Sequence, residues 1–416
     1  MSAPTASRRN RTRAEAGYGP VFANKEFRAI FAAHVLSGLG GVFAEVSLAA
    51  LVFRRTGSAL LTALVFALGL LPYALSGILL SGIADRYPAR RVLVACDLLS
   101  AACVLAMAVP VTPLALLFAL RFAVSMMSPL FTGTRAASLA SILPGDAYAL
   151  GRSLVRIVSQ SSQIIGYGLG GLVLVWMSPR TALYVTVCTF LGSALLIRMG
   201  ARDRPAPASG HGGMMRDSIT SARRLFAVPR IRALLLMWWM PPMFFVVAEG
   251  TAAPFADAAR AGSVGFGLFL AAMPAGTAVG EVLAGALLGA AAREHIALPL
   301  AGASMLPMAA FAFRPSLPLA VALLFLTGLC AAYALGMDQW FLQAVPERMR
   351  GRAMSLLGAG LMTSQGAGMI AGGAVAALAP PYAVICGAGV AGTTCTLVVL
   401  RSVHATRPTT APDAAP

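Results

Sequence analysis

The sequence predicts an all-α membrane protein with twelve transmembrane helices in two pseudo-symmetric six-helix bundles. Three observations carry that expectation. Of 416 residues, 58% are hydrophobic and only 11% charged, against roughly 25% charged in a soluble globular chain. The apolar residues fall into about twelve runs, each near the roughly 20 residues that cross a bilayer core. Finally, Ser153 to Gly171, SLVRIVSQSSQIIGYGLGG, recurs without a gap as Ser355 to Gly373, SLLGAGLMTSQGAGMIAGG. Such a displacement by half the chain length marks a two-fold internal repeat.

Charge placement sets the expected orientation. The net charge of +17 raises the question of a nucleic acid partner. With alternating spans and an inner N-terminus, however, only Arg54, Arg55, Arg180, Arg260 and Arg314 fall outside, and Arg121 lies within a span. That asymmetry is the positive-inside pattern and accounts for the basic balance without nucleic acid. The six cysteines sit in or beside apolar runs with no CxxC spacing, so packing explains them.

Taken in order, residues 1–28 form a polar, arginine-rich tail on the cytoplasmic side. Residues 29–199 hold six spans, near 29–53, 59–83, 92–110, 114–134, 151–176 and 181–199. A cytoplasmic linker at 200–229 breaks the apolar pattern with Pro205, Pro207, Gly210, Gly212 and Gly213. Residues 230–401 hold six more spans, near 231–254, 264–290, 296–313, 317–337, 353–378 and 382–400, and 402–416 form a second cytoplasmic tail. The expected location is the cytoplasmic membrane, multi-pass, with both termini cytoplasmic.

The break between the second and third spans reads SGIADRYPARRVL, Ser81 to Leu93. It resembles the inner-loop signature of the major facilitator superfamily: Asp85 and Arg86 match its Asp-Arg pair, and Arg90 and Arg91 its basic end. Pro88 and Ala89 depart from that pattern. Other segments resemble the same superfamily in the same order: Leu117 and Arg121 in span four, Gly166 to Gly171 in span five with Tyr167 where the antiporter motif carries Pro, and Val345 to Leu356 before span eleven. VVAEGTAAPFADAA, Val246 to Ala259, is similar to actinobacterial members of the drug and macrolide efflux branch. The resemblance implies a proton-driven exporter of drugs, siderophores or secondary metabolites, working by alternating access. Its partners would be a small-molecule substrate, protons and the lipid bilayer. No cofactor and no nucleic acid are expected, and the chain would act as a monomer.

The residues themselves narrow the candidates. Ser162, Gly166 and Gly170 form a small-residue face at i, i+4 and i+8, repeated as Ser364, Gly368 and Gly372. Small faces let helices in lipid approach closely. Such a face serves either as a static seam or as a sliding contact between the halves. Arg156, Gln160, Gln163 and Tyr167 make a polar stripe on a neighbouring face of span five; Arg121, Ser125, Ser128 and Thr132 make another on span four. Both are expected to face the bundle interior or a wet cavity.

Acidic residues inside spans are the most informative class. Glu45, Glu249 and Glu281 lie in spans one, seven and eight, and each charge at a helix centre costs about 2.5–3.5 kcal/mol on insertion scales. They are candidates for proton coupling or for lining the substrate cavity, with a salt bridge as the alternative for Glu45 and a packing hydrogen bond for the other two. His34 shares a face with Gly38, Gly41 and Glu45. The Asp85, Arg86, Arg90 and Arg91 loop is expected to act as a gate latch, with Asp97 as its candidate partner. No metal site is expected and no Walker loop occurs, so a proton gradient is the expected energy source. An importer or uniporter, a membrane-embedded enzyme and a non-transporting sensor are the alternatives.

Overall fold

The computed structural model describes residues 19–79, 86–143, 146–204 and 223–406. These residues are almost wholly helical. A short α1 (Gly19–Ala23) leads into α2 (Lys25–Thr56), followed by α3 (Ala59–Leu70), α4 (Pro72–Leu79), α5 (Ala89–Ala108), α6 (Leu114–Ile142), α7 (Asp146–Val173) and α8 (Pro179–Gly200). The second half contains α9 (Pro229–Gly250), α10 (Ala252–Ala258), α11 (Gly262–Leu287), α12 (Ala290–Ala303), α13 (Leu306–Ala309), α14 (Leu317–Cys330), α15 (Ala334–Ala344), α16 (Arg350–Ala376) and α17 (Pro381–Ala405).

Nine helices among the described residues are long and apolar enough to cross a membrane. Neither repeat helix, α7 nor α16, is among them, because the polar and small residues on their faces dilute the apolar run. Large apolar side chains such as Leu195, Val282 and Val398 are more than half exposed along the helices, as suits a surface whose solvent is lipid rather than water.

Local chemistry sets the breaks. Between α2 and α3, Gly57 takes the left-handed φ of 62° that ends a helix. Ser58 then caps α3 by accepting from the Leu61 N–H at 3.3 Å. Pro72 follows a turn residue at Leu71 and restarts the helix as α4, since proline fits the first turn but not the interior.

By contact density the described chain forms two units. The first comprises residues up to Ala44, Leu75–Gly166 and Arg180–Ser209; the second comprises Glu45–Ala74, Tyr167–Pro179 and the chain from Gly210. The boundary therefore crosses α2 and α7 in mid-helix.

Unit one is organised at the base of α2, where Phe27, Ile30 and Ala33 bury against Leu93, Leu139, Ile142 and Ile197. Phe22, Phe27 and Phe31 meet with ring centroids 5.2–5.6 Å apart. Beside them Glu26 accepts both Arg204 nitrogens, at 2.6 and 2.8 Å, and the Arg202 N–H at 2.9 Å. This hydrogen bonding raises the Arg204 pKa further above its ordinary value. The bonds tie the start of α2 to the chain leaving α8. Glu26→Ala is expected to cost about 1–3 kcal/mol, since it strands charge-assisted bonds at a buried acceptor. A fall in melting temperature of the detergent-solubilised protein checks it.

Unit two is held by close helix approach. A Cβ at Gly276 or Gly280 of α11 would press on the backbone of Leu329 in α14, at 2.9 and 3.0 Å, and one at Gly328 would lie 2.9 Å from the Thr277 nitrogen. Phe255 stacks on Phe269 at 4.4 Å and meets Phe311 and Tyr382 edge-on.

Candidate functional site

Three groups of residues stand out, and each contact within them lies inside one unit. The first is a buried polar network in unit one. His34 of α2, Asp97 of α5, Arg135 of α6 and Ser193 of α8 are 6%, 2%, 5% and 0% exposed. An Arg135 guanidinium N–H meets His34 Nδ1, and the same guanidinium lies 5.4 Å over the Phe131 ring. Nε2 of His34 stands 3.1 Å from Ser159 Oγ and 3.3 Å from the Val155 carbonyl on α7. Ser193 donates to Asp97 Oδ2 at 2.6 Å. Asp97 in turn acts electrostatically on Arg135.

Two expectations change here. Asp97 is not the partner of the loop arginines: it lies two turns into α5, buried and held by Ser193. A fourth span ending near 134 would leave Arg135 in a loop, whereas α6 continues to Ile142 and buries it. A 29-residue helix measures about 44 Å at 1.5 Å per residue, longer than the bilayer core. One signal for Arg135 is present in the sequence. Phe131, Leu139 and Ile142, at i−4, i+4 and i+7, give it an apolar helix face, and all three pack into the core of unit one.

The second group is the small-residue face. Ser162, Gly166 and Gly170 of α7 lie against α2. A Cβ at Gly38 would sit 3.3 Å from Ser162 Oγ, one at Gly166 would be 2.7 Å from Val42, and one at Gly170 would be 3.2 Å from Val46. The copy does the same with α9. Ser364 donates to the Trp239 carbonyl at 3.2 Å, a Cβ at Gly368 would be 2.9 Å from the Met243 carbonyl carbon, and one at Gly372 would be 2.7 Å from Val247. Each seam thus joins helices of one half of the chain.

The halves meet through neighbouring glycines inside unit two. A Cβ at Gly171 of α7 would be 2.5 Å from Ser263 O and Gly267 Cα of α11; one at Gly267 would be 2.7 Å from Tyr167 O and Gly171 Cα. Gly366 and Gly373 of α16 would press on Leu71 at 2.6 Å and on Ala63 at 2.5 Å. At the same end, Arg54 donates to Ser263 at 3.5 Å. The contacts of Gly171, Gly267 and Gly373 gather where α2, α7 and α16 finish and α3 and α11 begin, whereas Gly366 meets the other end of α3. The glycines form a clasp that the repeat pattern alone does not separate from the seam.

The third group is acidic. Glu45 of α2 and Glu249 of α9 are both half-buried in unit two, and the charge of Glu45 acts on Glu249. Two carboxyls within electrostatic reach of one another can attract a proton or an ammonium group. Glu281 is half-buried on α11, Tyr167 is buried, Gln163 and Arg121 are half-buried, and Arg156 is exposed. In the gate loop Asp85 lies outside the described residues. Arg86 is exposed. Arg90 donates to the Ala201 carbonyl and Arg91 to Asp203, both at 3.5 Å, so these two arginines hold the chain that leaves α8. Among the described residues no cluster of His, Cys, Asp or Glu could hold a metal ion.

Long helices with apolar outer faces and buried charges define a multi-pass integral membrane protein. The chain belongs to the Major Facilitator Superfamily, whose family model matches residues 30–288, more than half of it. It is a transporter and not an enzyme. It is 25% identical over 367 residues to the multidrug efflux pump Tap of Mycolicibacterium fortuitum, covering 83% of this chain and 88% of that one. Among solved structures it resembles a POT family transporter in complex with 5-aminolevulinic acid, at TM-score 0.72 and 11% identity over 92% of this chain and 96% of that one. It also resembles a bacterial homologue of the human lysosomal transporter Spinster, inward-facing and unoccupied, at TM-score 0.65 and 15% identity over 95% and 100% of the two chains. A mutant of the nucleoside transporter NupG gives 0.68 and 14% over 92% and 99%. At these identities the solved structures speak to the fold alone.

Proposed function

We propose that the protein is a proton-coupled exporter of a small amphipathic molecule, such as a drug, siderophore or secondary metabolite. The observation that carries this reading is the similarity to a multidrug efflux pump along most of both chains. In this reading twelve spans form bundles at 29–199 and 230–401, the 200–229 linker and both termini are cytoplasmic, and the chain works as a monomer in the cell membrane. The clasp of Gly171, Gly267 and Gly373 is then the closed outer gate of an alternating-access cycle. The loop of Asp85, Arg86, Arg90 and Arg91 latches the inner side. Glu45 and Glu249 form the acidic locus that takes a cationic group, and Glu281, Arg121, Arg156, Gln163 and Tyr167 belong to the cavity or the coupling path.

Everted membrane vesicles from cells expressing the chain test the proposal with ethidium as the probe. Acidifying the vesicle lumen should drive ethidium accumulation, and dissipating the pH difference should release it. Transport of ethidium that ignores the pH difference would replace the antiporter by a uniporter.

A further inference from the structure

Among the described residues of unit one, His34 and its neighbours form a network in which a single proton would force a rearrangement. A guanidinium has five donors and no acceptor, so the Arg135 contact requires an unprotonated Nδ1 on His34. The ring proton then sits on Nε2 and is donated to Ser159 Oγ and the Val155 carbonyl. Ser159 itself donates to Val155 at 3.0 Å, which leaves its oxygen lone pair free to accept. In this arrangement the imidazole is neutral. A proton added at Nδ1 would set two donors face to face and two positive charges side by side, in a buried site. Arg135 would have to leave, and Asp97 is the anion already acting on it.

Of the other charged groups on the surrounding helices, most hold other partners or face outward. Arg152 of α7 lies over Tyr148; Arg156 of α7 and Arg198 of α8 are exposed, and Arg121 of α6 is half-buried. Arg90 and Arg91 hold Ala201 and Asp203, and on α2 itself Glu26 holds Arg204.

We propose that His34, Arg135 and Asp97 are the proton-binding switch of the transport cycle. Uptake of a proton by His34 Nδ1 transfers Arg135 from α2 to Asp97 on α5, and loss of that proton to the medium returns it. One proton enters and one leaves, and no other group changes its covalent state. Because the two positions of Arg135 tie α6 to different helices, the proton selects between two packings of unit one. Packed interiors respond in such steps rather than by gradual deformation. This inference rests on the proton-coupled reading above and assigns the proton to a site apart from Glu45 and Glu249.

The test uses ethidium in everted vesicles and separates driven accumulation from ethidium exchange at equal pH on both sides. His34→Asn keeps an acceptor for Arg135 but takes no proton at neutral pH. It is expected to lower pH-driven accumulation about tenfold or more and to flatten the pH dependence of transport, while exchange persists and certifies a folded protein. Asp97→Asn removes the destination of Arg135 without touching the ring and should give the same split. Arg135→Lys, which retains charge but lacks the planar fork, should keep part of the pH response. A His34→Asn protein that accumulates ethidium with the parent's pH profile overturns the switch and leaves the antiporter reading standing. A parent that exchanges ethidium yet never responds to the pH difference overturns the antiporter reading, and the switch with it.

Discussion

Leucine in place of Gly267 is expected to abolish transport while leaving membrane insertion and yield near those of the parent. The obstruction begins at Cβ, 2.7 Å from Tyr167 O and Gly171 Cα, so no choice of rotamer relieves it. The helices themselves must separate. Overpacking of this kind costs about 1–3 kcal/mol, and here it falls only on the conformation in which the halves are clasped. A bias of that size changes the clasped equilibrium about 5–150-fold. Ethidium transport should fall accordingly, and a cysteine placed near the end of α7 should become more reactive from the side on which the clasp opens. Gly171→Leu should behave alike, since its clash is reciprocal. Gly166→Leu provides the contrast. Its clash is with Val42 inside the same half, so it burdens every conformation equally and should lower the melting temperature. Normal transport by both Gly171→Leu and Gly267→Leu would remove the clasp from the mechanism.

Replacing Glu249 with glutamine should produce the second large effect, with opposite signs in two measurements. The substitution keeps shape and hydrogen-bonding capacity and removes a carboxylate that shares a partly buried site with Glu45. A glutamine cannot ionise beside Glu45, so the variant should melt at or slightly above the parent's temperature, by no more than about 1–3 °C. The same change removes a carboxyl that can ionise to meet a cation, and ethidium exchange should fall about tenfold or more. Glu45→Gln should match it. Removing both charges should add little further loss, as expected of residues that act as one site. If either glutamine protein exchanges ethidium at the parent's rate, the acidic locus is not where the cation binds. Glu281→Gln, measured in parallel, tests whether the third intramembrane acid shares the task.

Much of the architecture is legible in the sequence because a bilayer imposes a length. A run such as Leu317 to Met337 has to be a helix of spanning size whatever its neighbours are, and the structure places α14 and α15 there. The seam is legible in the same way: Ser162, Gly166 and Gly170 announce a close approach by their size and spacing. Their partner is hidden, because periodicity defines a face and leaves the facing helix open. Only the folded chain shows that Gly166 meets Val42 while Gly171, little more than a turn further on, meets Gly267. Arg135 escapes notice for a different reason. A charge near the end of an apolar run reads as the water boundary, yet three packed helices supply it with a histidine, an aromatic face and a carboxylate. The loop arginines show the opposite case, since nearness in sequence suggests Asp97 as their partner while Arg90 and Arg91 bind the chain after α8.

The two seams also carry a record of descent. Gly166 sits opposite Val42 and Gly368 opposite Met243, so the stretch between the contacting helices is one residue longer in the second half. After the ancestral duplication the copies drifted in length, and residues matched by contact are no longer those matched by simple offset. Counted from the contact, the position of Glu45 in the second half is held by Val246, and that of Glu249 in the first half by Leu48. The two acids are therefore not inherited twins. Each carboxylate belongs to one half alone, and a chain assembled from two copies of either half would not reconstitute the pair.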